Sequence, residues 1–245
     1  MSAQVSMSAQ VSSSNAQLAC PSAVALDPPV LLHISPMSSA KISLALKRDF
    51  DIIGALLLLL ILFPLWPLLA LAVRLDGGPA LYGHTRVGCN GRPFKCLKFR
   101  SMAIDADAML ARYLATNPHA AEEWAVRRKL VDDPRITRIG AILRTTSLDE
   151  LPQLINVLRG EMSLVGPRPV VPDELEEHYG PAGRIAYSAM RPGITGLWQV
   201  SGRSETSYPE RVSLDIAYGS SWSFLLDVKI LLRTVPAVLA RRGAV

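Results

Sequence analysis

Residues 52–73 read IIGALLLLLILFPLWPLLALAV, from Ile52 to Val73. None of the 22 residues in this run carries a charge. A helix needs about 20 apolar residues to cross the hydrocarbon core of a bilayer. A buried helix of a soluble core rarely lacks a polar face over such a length. We therefore predict that residues 41–76 form a membrane-embedded helix.

The middle of this run contains Phe63 followed by Pro64. A proline lacks a backbone donor and crowds the preceding turn, so we expect a sharp kink there. Lys47 and Arg48 precede the run and Arg74 follows it. Because basic residues mark the cytoplasmic side of a membrane, these flanks favour a re-entrant helix with both ends in the cytoplasm. An ordinary kinked transmembrane helix is the alternative.

The segments on either side of the run differ in composition. Residues 1–40 are rich in Ser, Ala, Gln and Pro, and their only charged side chain is Asp27. Such a segment buries too little apolar surface to offset its ordering entropy, so we predict a disordered tail. Residues 77–245 are predicted to form a cytosolic catalytic domain. Cys20, Cys89 and Cys96 are widely spaced and form no C-x-x-C pair, which favours reduced thiols.

The net charge of +5 and the pI near 9.3 are typical of proteins that bind nucleic acid, an anionic membrane or phosphorylated small molecules. The uncharged run argues against a soluble nucleic-acid binder. Two hypotheses then remain: a membrane enzyme, and a membrane-anchored basic scaffold that binds anionic lipid or a partner protein.

The chain after the run predicts a hairpin followed by helices. Residues 80–87 and 94–102 flank a turn that contains Asn90 and Gly91, and Asn-Gly is a strong hairpin signal. Alternation in the second strand puts Lys98 and Arg100 on one face. Residues 104–130 predict a polar helical stretch interrupted at 117–118. Residues 222–242 predict an amphipathic helix, which either lies at the membrane surface or packs on the core.

Residues 143–171, LRTTSLDELPQLINVLRGEMSLVGPRPVV, contain the candidate chemistry. Ser147 and Glu150 have the spacing of a capping box, which would put Asp149 and Glu150 in the first turn of a helix. A helix that begins at Asp149 would suit Pro152 better. Acidic residues in a first turn stabilise a helix without any chemical role, so the pair alone does not indicate catalysis.

Cations surround this acidic pair in the sequence. Arg144 precedes it, and Arg168 follows within a Gly-Pro-Arg-Pro loop that two prolines stiffen. A guanidinium on a stiff loop can bind phosphate with two hydrogen bonds at a low entropic cost. Magnesium prefers a few carboxylates together with substrate phosphate oxygens. The pattern therefore suggests a magnesium–diphosphate site.

The chain resembles the bacterial sugar transferase family of polyprenyl-phosphate hexose-1-phosphate transferases, the small monotopic kind that begins surface-polysaccharide assembly. The resemblance is closest to the rhizobial-type enzymes that initiate exopolysaccharide synthesis, which transfer galactose phosphate or glucose phosphate to the lipid carrier. Five motifs occur in family order between residues 45 and 243: KRxFD at 47–51, FKCLKFRSM at 94–102, LRTTSLDEL at 143–151, VGPRP at 165–169 and RPGITGLWQVSGR at 191–203. The family usually has Ser-Pro where this chain has Phe63-Pro64, and the insert near 116–134 is longer than in its smallest members.

The resemblance implies a two-step reaction at the inner membrane, with the catalytic domain facing the cytoplasm. Asp149 would attack the sugar-linked phosphate of a UDP-sugar, release UMP, and pass the sugar phosphate to undecaprenyl phosphate. Glu150, with Asp149, would hold Mg²⁺. Five basic residues would contact phosphates: Lys98, Arg144 and Arg168, and, on weaker grounds, Arg191 and Arg203.

The expected fold is α+β and mostly helical. It would be a monotopic membrane protein with a kinked re-entrant helix, a small β-hairpin and a cytosolic catalytic domain with amphipathic interface helices. Nucleic acid is not expected as a partner. A homodimer is one option, but the sequence does not determine the oligomeric state, the hexose or the polysaccharide.

Overall fold

The structure, a computed structural model, describes residues 37–127, 130–202 and 206–239. Most of the predicted tail, Cys20 and Arg203 therefore lie outside the described residues. The described part mixes helices with two small sheets and is mostly helical, as predicted. The helices are α1 (Met37–Leu62), α2 (Leu65–Arg74), α3 (Ala106–Thr116), α4 (Pro118–Arg127), α5 (Arg138–Thr145), α6 (Gln153–Arg159), α7 (Pro172–His178), α8 (Gly180–Ser188), α9 (Leu197–Val200), α10 (Tyr208–Ser220) and α11 (Phe224–Leu239). The strands are β1 (Leu81–Val87), β2 (Pro93–Phe99), β3 (Ser163–Val165) and β4 (Gly193–Thr195).

The apolar run folds as two helices that meet at an angle. α1 ends at Leu62 and α2 begins at Leu65, so the break falls at Phe63 and Pro64, the predicted site of the kink. No single helix among the described residues is long and apolar enough to cross a membrane. Only together do Ser43–Leu62 and Leu65–Arg74 reach that length and apolarity, and the two segments meet at a bend of 70°. We call these two segments the bent pair. α1 also begins at Met37, inside the stretch that was predicted to be a tail.

Two basic residues that precede the apolar run have partners inside the protein. The Lys47 Nζ donates to the Asp227 Oδ2 on α11 at 2.6 Å and to the Val165 O at 3.0 Å. The Arg48 guanidinium donates to the carbonyls of residues 157 and 158 at the end of α6. Both side chains therefore attach α1 to the rest of the domain, a role that their position beside the apolar run does not predict.

The predicted hairpin is confirmed. β1 and β2 pair antiparallel, from Leu81 opposite Phe99 to Val87 opposite Pro93. At the turn, Asn90 and Gly91 adopt φ angles of 58° and 71°, a backbone region that Asn and Gly tolerate better than other residues.

A second, two-stranded parallel sheet pairs β3 with β4, and the sequence interpretation missed it. Its strands have only three residues each, which is too short for a periodic pattern to stand out. A Cβ atom on Gly193 would lie 2.1 Å from the Gly166 nitrogen, so only glycine allows this close approach of the two chains.

The break predicted at 117–118 is also confirmed, because α3 ends at Thr116 and α4 begins at Pro118. The Asn117 Oδ1 accepts a hydrogen bond from the Ala120 N–H at 3.1 Å and so caps α4. The C-terminal helix α11 packs on the core, which is one of the two predicted alternatives. Asp227 and Ile230 face the core, whereas Leu225 and Leu232 are more than 60% exposed.

One hydrophobic cluster joins α2 to the acidic stretch. Val73 of α2 is buried together with Phe99 and Leu143. Leu148 and Leu151, which flank Asp149 and Glu150, pack against the same cluster. The acidic pair therefore lies on a turn that shares a hydrophobic cluster with α2.

Candidate active site

The acidic pair lies on a turn of 3₁₀-helix, Leu148–Glu150, before α6. The predicted capping box is wrong: Ser147 has a φ of 56° and its side chain makes no capping hydrogen bond. A capping residue normally has extended backbone angles, and Ser147 is in the left-handed region instead. Pro152 has no N–H to donate to the Leu148 carbonyl, so the turn does not continue as an α-helix. The Leu151 N–H donates to that carbonyl instead, at 3.3 Å, and α6 begins only at Gln153.

Lys98 joins the two carboxylates. Its Nζ lies 2.6 Å from the Glu150 Oε1 and 3.5 Å from the Asp149 Oδ2. Asp149 is only 7% exposed, whereas the side chains of Lys98 and Glu150 are each 36% exposed. One carboxylate is therefore enclosed, and the other lies at the edge of the site with the ammonium group between them.

Burial raises the pKa of Asp149, and the negative charge of Glu150 raises it further. The positive charges of Lys98 and Arg144 oppose this rise. Burial lowers the pKa of Lys98, but the charges of Glu150 and Asp149 outweigh this effect, and the pKa ends above its ordinary value. Lys98 therefore stays protonated and stabilises the ionised form of Asp149.

Arg144 is the second cation beside Asp149. It lies in the last turn of α5, and its Nε donates to the Ser101 Oγ at 2.9 Å. Burial lowers the pKa of Arg144, and the charge of Asp149 raises it. Ser101, just after β2, thus orients this guanidinium and was not singled out from the sequence.

Asn156 is a further residue that the sequence interpretation missed. It is fully buried on α6, and its Oδ1 accepts a hydrogen bond from the Leu97 N–H at 2.9 Å. Its Nδ2 donates to the Lys95 carbonyl at 2.8 Å. Asn156 therefore holds β2, and with it Lys98, against α6. Asn156 lies on the helix face opposite to the predicted apolar stripe of Leu151, Leu154, Ile155 and Leu158, so the pattern gave no signal for it.

The other predicted basic residues lie elsewhere. The Arg168 guanidinium stacks over the Trp198 ring, with its carbon 5.2 Å from the ring centroid. The Arg191 Nε donates to the Gly160 carbonyl at 2.9 Å, at the opposite end of α6 from the acidic turn. Arg203 is outside the described residues. Lys98 and Arg144 are thus the two predicted cations that the structure brings to Asp149.

The donor set fits a magnesium ion that is completed by a substrate. The Asp149 Oδ2 and the Glu150 Oε1 lie 3.5 and 2.6 Å from the Lys98 Nζ, so the ammonium group occupies the space between the two carboxylates. No group of three or more potential His, Cys, Asp or Glu ligands occurs among residues 37–127, 130–202 and 206–239. Magnesium commonly takes one or two carboxylates together with substrate phosphates and water, so Asp149 and Glu150 are the residues that would hold it together with a substrate.

A buried carboxylate that contacts a lysine ammonium, with the charge of a second cation acting on it, suits chemistry on charged groups. The model of the bacterial sugar transferase family matches residues 42–241. The chain belongs to this family and is a transferase. The family resemblance drawn from the five motifs is thereby confirmed.

Curated relatives agree with this assignment. An exopolysaccharide production protein, ExoY, from Sinorhizobium fredii is 53% identical over 199 residues, which cover 81% of this chain and 87% of the relative. A UDP-galactose-lipid carrier transferase from Erwinia amylovora is 51% identical over 88% of this chain and 45% of its own length. An undecaprenyl-phosphate galactose phosphotransferase from Salmonella typhimurium is 49% identical over the same shares.

Proposed function

We propose that this enzyme transfers a hexose-1-phosphate from a UDP-sugar to undecaprenyl phosphate and releases UMP, as the first membrane step of exopolysaccharide synthesis. The names of the relatives support the donor, the acceptor and the pathway. Galactose is the favoured hexose, because two of these relatives are named for galactose or UDP-galactose. The observation that carries the mechanism is the enclosed carboxylate of Asp149 beside Lys98, with the charge of Arg144 also acting on it.

In the first step, an oxygen of the ionised Asp149 carboxylate attacks the phosphorus that bears the sugar. A new O–P bond forms, the bond from this phosphorus to the bridging oxygen breaks, and UMP departs with the electron pair. Carboxylates form covalent intermediates of this kind in other enzymes. Burial favours the attack, because a carboxylate with a raised pKa is a stronger base once it has lost its proton.

In the second step, an oxygen of undecaprenyl phosphate attacks the same phosphorus. The bond to Asp149 breaks, and the carboxylate returns to its starting state without net gain or loss of a proton. Lys98 and Arg144 balance the negative charge that accumulates when phosphates approach two carboxylates, and phosphoryl transfer depends mainly on such positioning and charge neutralisation. Magnesium, held by Asp149 and Glu150, would add charge neutralisation on the diphosphate.

The membrane arrangement is part of this proposal. Phe63 is 71% exposed at the bend, and many other side chains of the pair are apolar and exposed. A re-entrant pair would keep both ends in the cytoplasm and leave the acidic turn at the inner surface of the membrane. The phosphate of a lipid acceptor could then reach Asp149 while its tail stays in the bilayer.

UMP release from a panel of UDP-sugars by detergent-solubilised protein, with Mg²⁺ and undecaprenyl phosphate, tests this function. We expect turnover with UDP-galactose. Asp149→Asn should lower it by at least ~10³-fold, as expected when a nucleophile is removed. Asp173→Asn serves as a matched control, because Asp173 is an exposed acidic residue in the first turn of α7.

Mass spectrometry after incubation with donor alone supplies the second measurement. We expect a hexose-phosphate adduct on the peptide that contains Asp149. An adduct on another side chain would contradict the assigned nucleophile, and a folded wild-type enzyme that releases no UMP from any donor would contradict the function itself.

A further inference from the structure

We infer that His84 of β1 binds a hydroxyl group of the hexose in the sugar donor, with the ring of Tyr82 as a wall beside it. This inference rests on the proposed function and names a residue that recognises the part of the donor that is transferred. His84 and Tyr82 lie outside the five motifs and outside the site residues that the sequence predicts.

The register of the β-hairpin places both residues beside Lys98. Tyr82 lies directly opposite Lys98, and His84 lies opposite Cys96, one diagonal step from Lys98. Residues directly opposite each other in an antiparallel pair have Cβ atoms about 4.5–5.5 Å apart, and diagonal neighbours are about 7–8 Å apart. Because side chains alternate along a strand, His84 projects from the same face of the hairpin as Lys98. His84 therefore neighbours the lysine that contacts both carboxylates.

This face of the hairpin is covered on one strand and open on the other. On β2, Cys96 is buried in the core opposite His84. On β1, Tyr82 is 54% exposed, and His84 is exposed as well. The side chain of Lys98, opposite Tyr82, is also partly exposed. The open side of β1 therefore continues to the exposed part of Lys98, where a donor at the acidic pair can contact His84.

The rings of Tyr82 and His84 lie side by side but are not coplanar. Their centroids are 6.3 Å apart, and the ring planes are tilted by 41°. A nucleobase stacks on a flat aromatic face, and these two rings do not form one flat surface. A hexose carries hydroxyl groups around its edge, so it can lie against one ring and bond to the nitrogen of the other.

The His84 imidazole has the hydrogen-bonding character that suits a sugar hydroxyl group. Partial burial lowers the pKa of His84, and the positive charges of Arg86, Lys95 and Lys98 lower it further. A hydrogen bond with the Thr85 backbone opposes these effects but does not cancel them. The ring is therefore neutral at neutral pH, with one nitrogen that donates and one that accepts. A hydroxyl group can also donate and accept, whereas a phosphate would favour a protonated ring.

The proposed reaction brings the hexose, rather than the uridine, to this position. The phosphorus that meets the Asp149 carboxylate bears the hexose directly. The uridine is separated from that phosphorus by the other phosphate of the donor. A residue next to Lys98 is therefore closer to the hexose than to the base. The lipid acceptor offers only a phosphate and an apolar tail, and neither requires a neutral donor and acceptor.

Donor analogues that each lack one hydroxyl group test the inference with the full-length protein in detergent. We expect His84→Ala to lower kcat/KM for UDP-galactose about 3–10-fold, as for the loss of one hydrogen bond. Wild type should lose a similar factor on the one analogue that lacks the contacted hydroxyl group. His84→Ala should lose nothing further on that analogue, because the two changes remove the same contact.

Two further constants separate the hexose from the other ligands. In His84→Ala, the inhibition constant of UMP and the KM for undecaprenyl phosphate should stay within about twofold of wild type. His119→Ala is the matched control, because His119 is an exposed histidine on α4. His84→Phe keeps a ring without a donor or acceptor, so it should behave like His84→Ala and decides the matter if the alanine variant does not fold.

An unchanged kcat/KM in His84→Ala would overturn the inference. Equal losses on UDP-galactose and on every analogue would overturn it too, because His84 would then act without touching a particular hydroxyl group. A raised inhibition constant for UMP would assign His84 to the nucleotide instead, and a raised KM for undecaprenyl phosphate alone would assign it to the lipid. Wild-type turnover with any of these results leaves the proposed function standing, whereas a folded wild type without turnover would overturn both.

Discussion

Asp149 and Glu150 are neighbours in the chain but differ in environment. Asp149 is enclosed and its pKa is raised chiefly by burial, whereas Glu150 lies at the edge of the site against Lys98. Two carboxylates in different environments can take different roles, and the proposed function gives the role of nucleophile to Asp149 alone. Lys98 is the residue that connects them, because its single ammonium group serves both carboxylates.

Replacement of Lys98 by glutamine should change the pH dependence of the reaction. Asp149 must be ionised to attack, so activity rises as the pH passes the pKa of Asp149. Lys98 lowers this pKa, and its removal should move the acidic limb of kcat/KM to higher pH by about one unit or more. Lys95→Gln is the control, since the Lys95 Nζ bonds to the Thr85 Oγ1 instead. An acidic limb that stays in place would show that Asp149 does not control it.

At the scale of elements, the site depends on how β2, α5 and α6 are held together. β2 carries Lys98, the 3₁₀ turn before α6 carries the acidic pair, and α5 ends with Arg144. Asn156 bridges α6 to β2 through both ends of its amide. Ser101 links the end of β2 to α5. Two small polar side chains therefore set the distances among the charged ones.

Asn156→Ala should lower both stability and activity. It leaves the Leu97 N–H and the Lys95 carbonyl without their side-chain partner, at a cost of about 2–4 kcal/mol in the free energy of unfolding. Because β2 is then less firmly held, kcat should fall even under conditions where the variant is fully folded. Denaturant midpoints and kcat are the measurements, with exposed Ser213→Ala as the control. A kcat that falls only with the unfolded fraction would exclude a positioning role.

At the scale of the whole molecule, a buried ion pair connects the two ends of the described chain. Lys47 on α1 and Asp227 on α11 are 6% and 0% exposed. The Asp227 Oδ1 also accepts a hydrogen bond from the Tyr218 OH, and its Oδ2 from the Trp222 Nε1. Breaking one partner of a buried pair leaves an uncompensated charge, which is more costly than losing both partners.

Lys47→Met should therefore destabilise the protein by about 3–5 kcal/mol. Lys47→Met combined with Asp227→Asn should cost less than the sum of the two single changes. Thermal unfolding in detergent, compared at one heating rate, measures the three variants. Additive effects would mean that the pair does not act as a unit in the folded protein.

The bent pair can be tested for a re-entrant topology, in which both of its ends lie in the cytoplasm. If it is re-entrant, cysteines placed at Ser39 and Asp76, with Cys20 and Cys89 changed to serine, should both resist a membrane-impermeant label in intact cells. Both should react after the cells are opened. Labelling of one position from outside would instead demonstrate a helix that spans the membrane.

The sequence alone determined the features that arise from local backbone chemistry. Pro64 breaks the apolar helix because it has no N–H, and Asn90-Gly91 turns the hairpin because both residues accept positive φ. The five ordered motifs were enough to identify the family.

Only the tertiary structure decided which charged groups meet. Lys98 and Glu150 are 52 positions apart, and Asn156 and Leu97 are 59 positions apart. Arg168 lies nearer to Asp149 in the sequence than Lys98 does, yet it stacks on Trp198. Contacts between residues that are far apart in the sequence depend on which surfaces are buried and on the path of each loop. Neither can be inferred from the residues on either side of a given position.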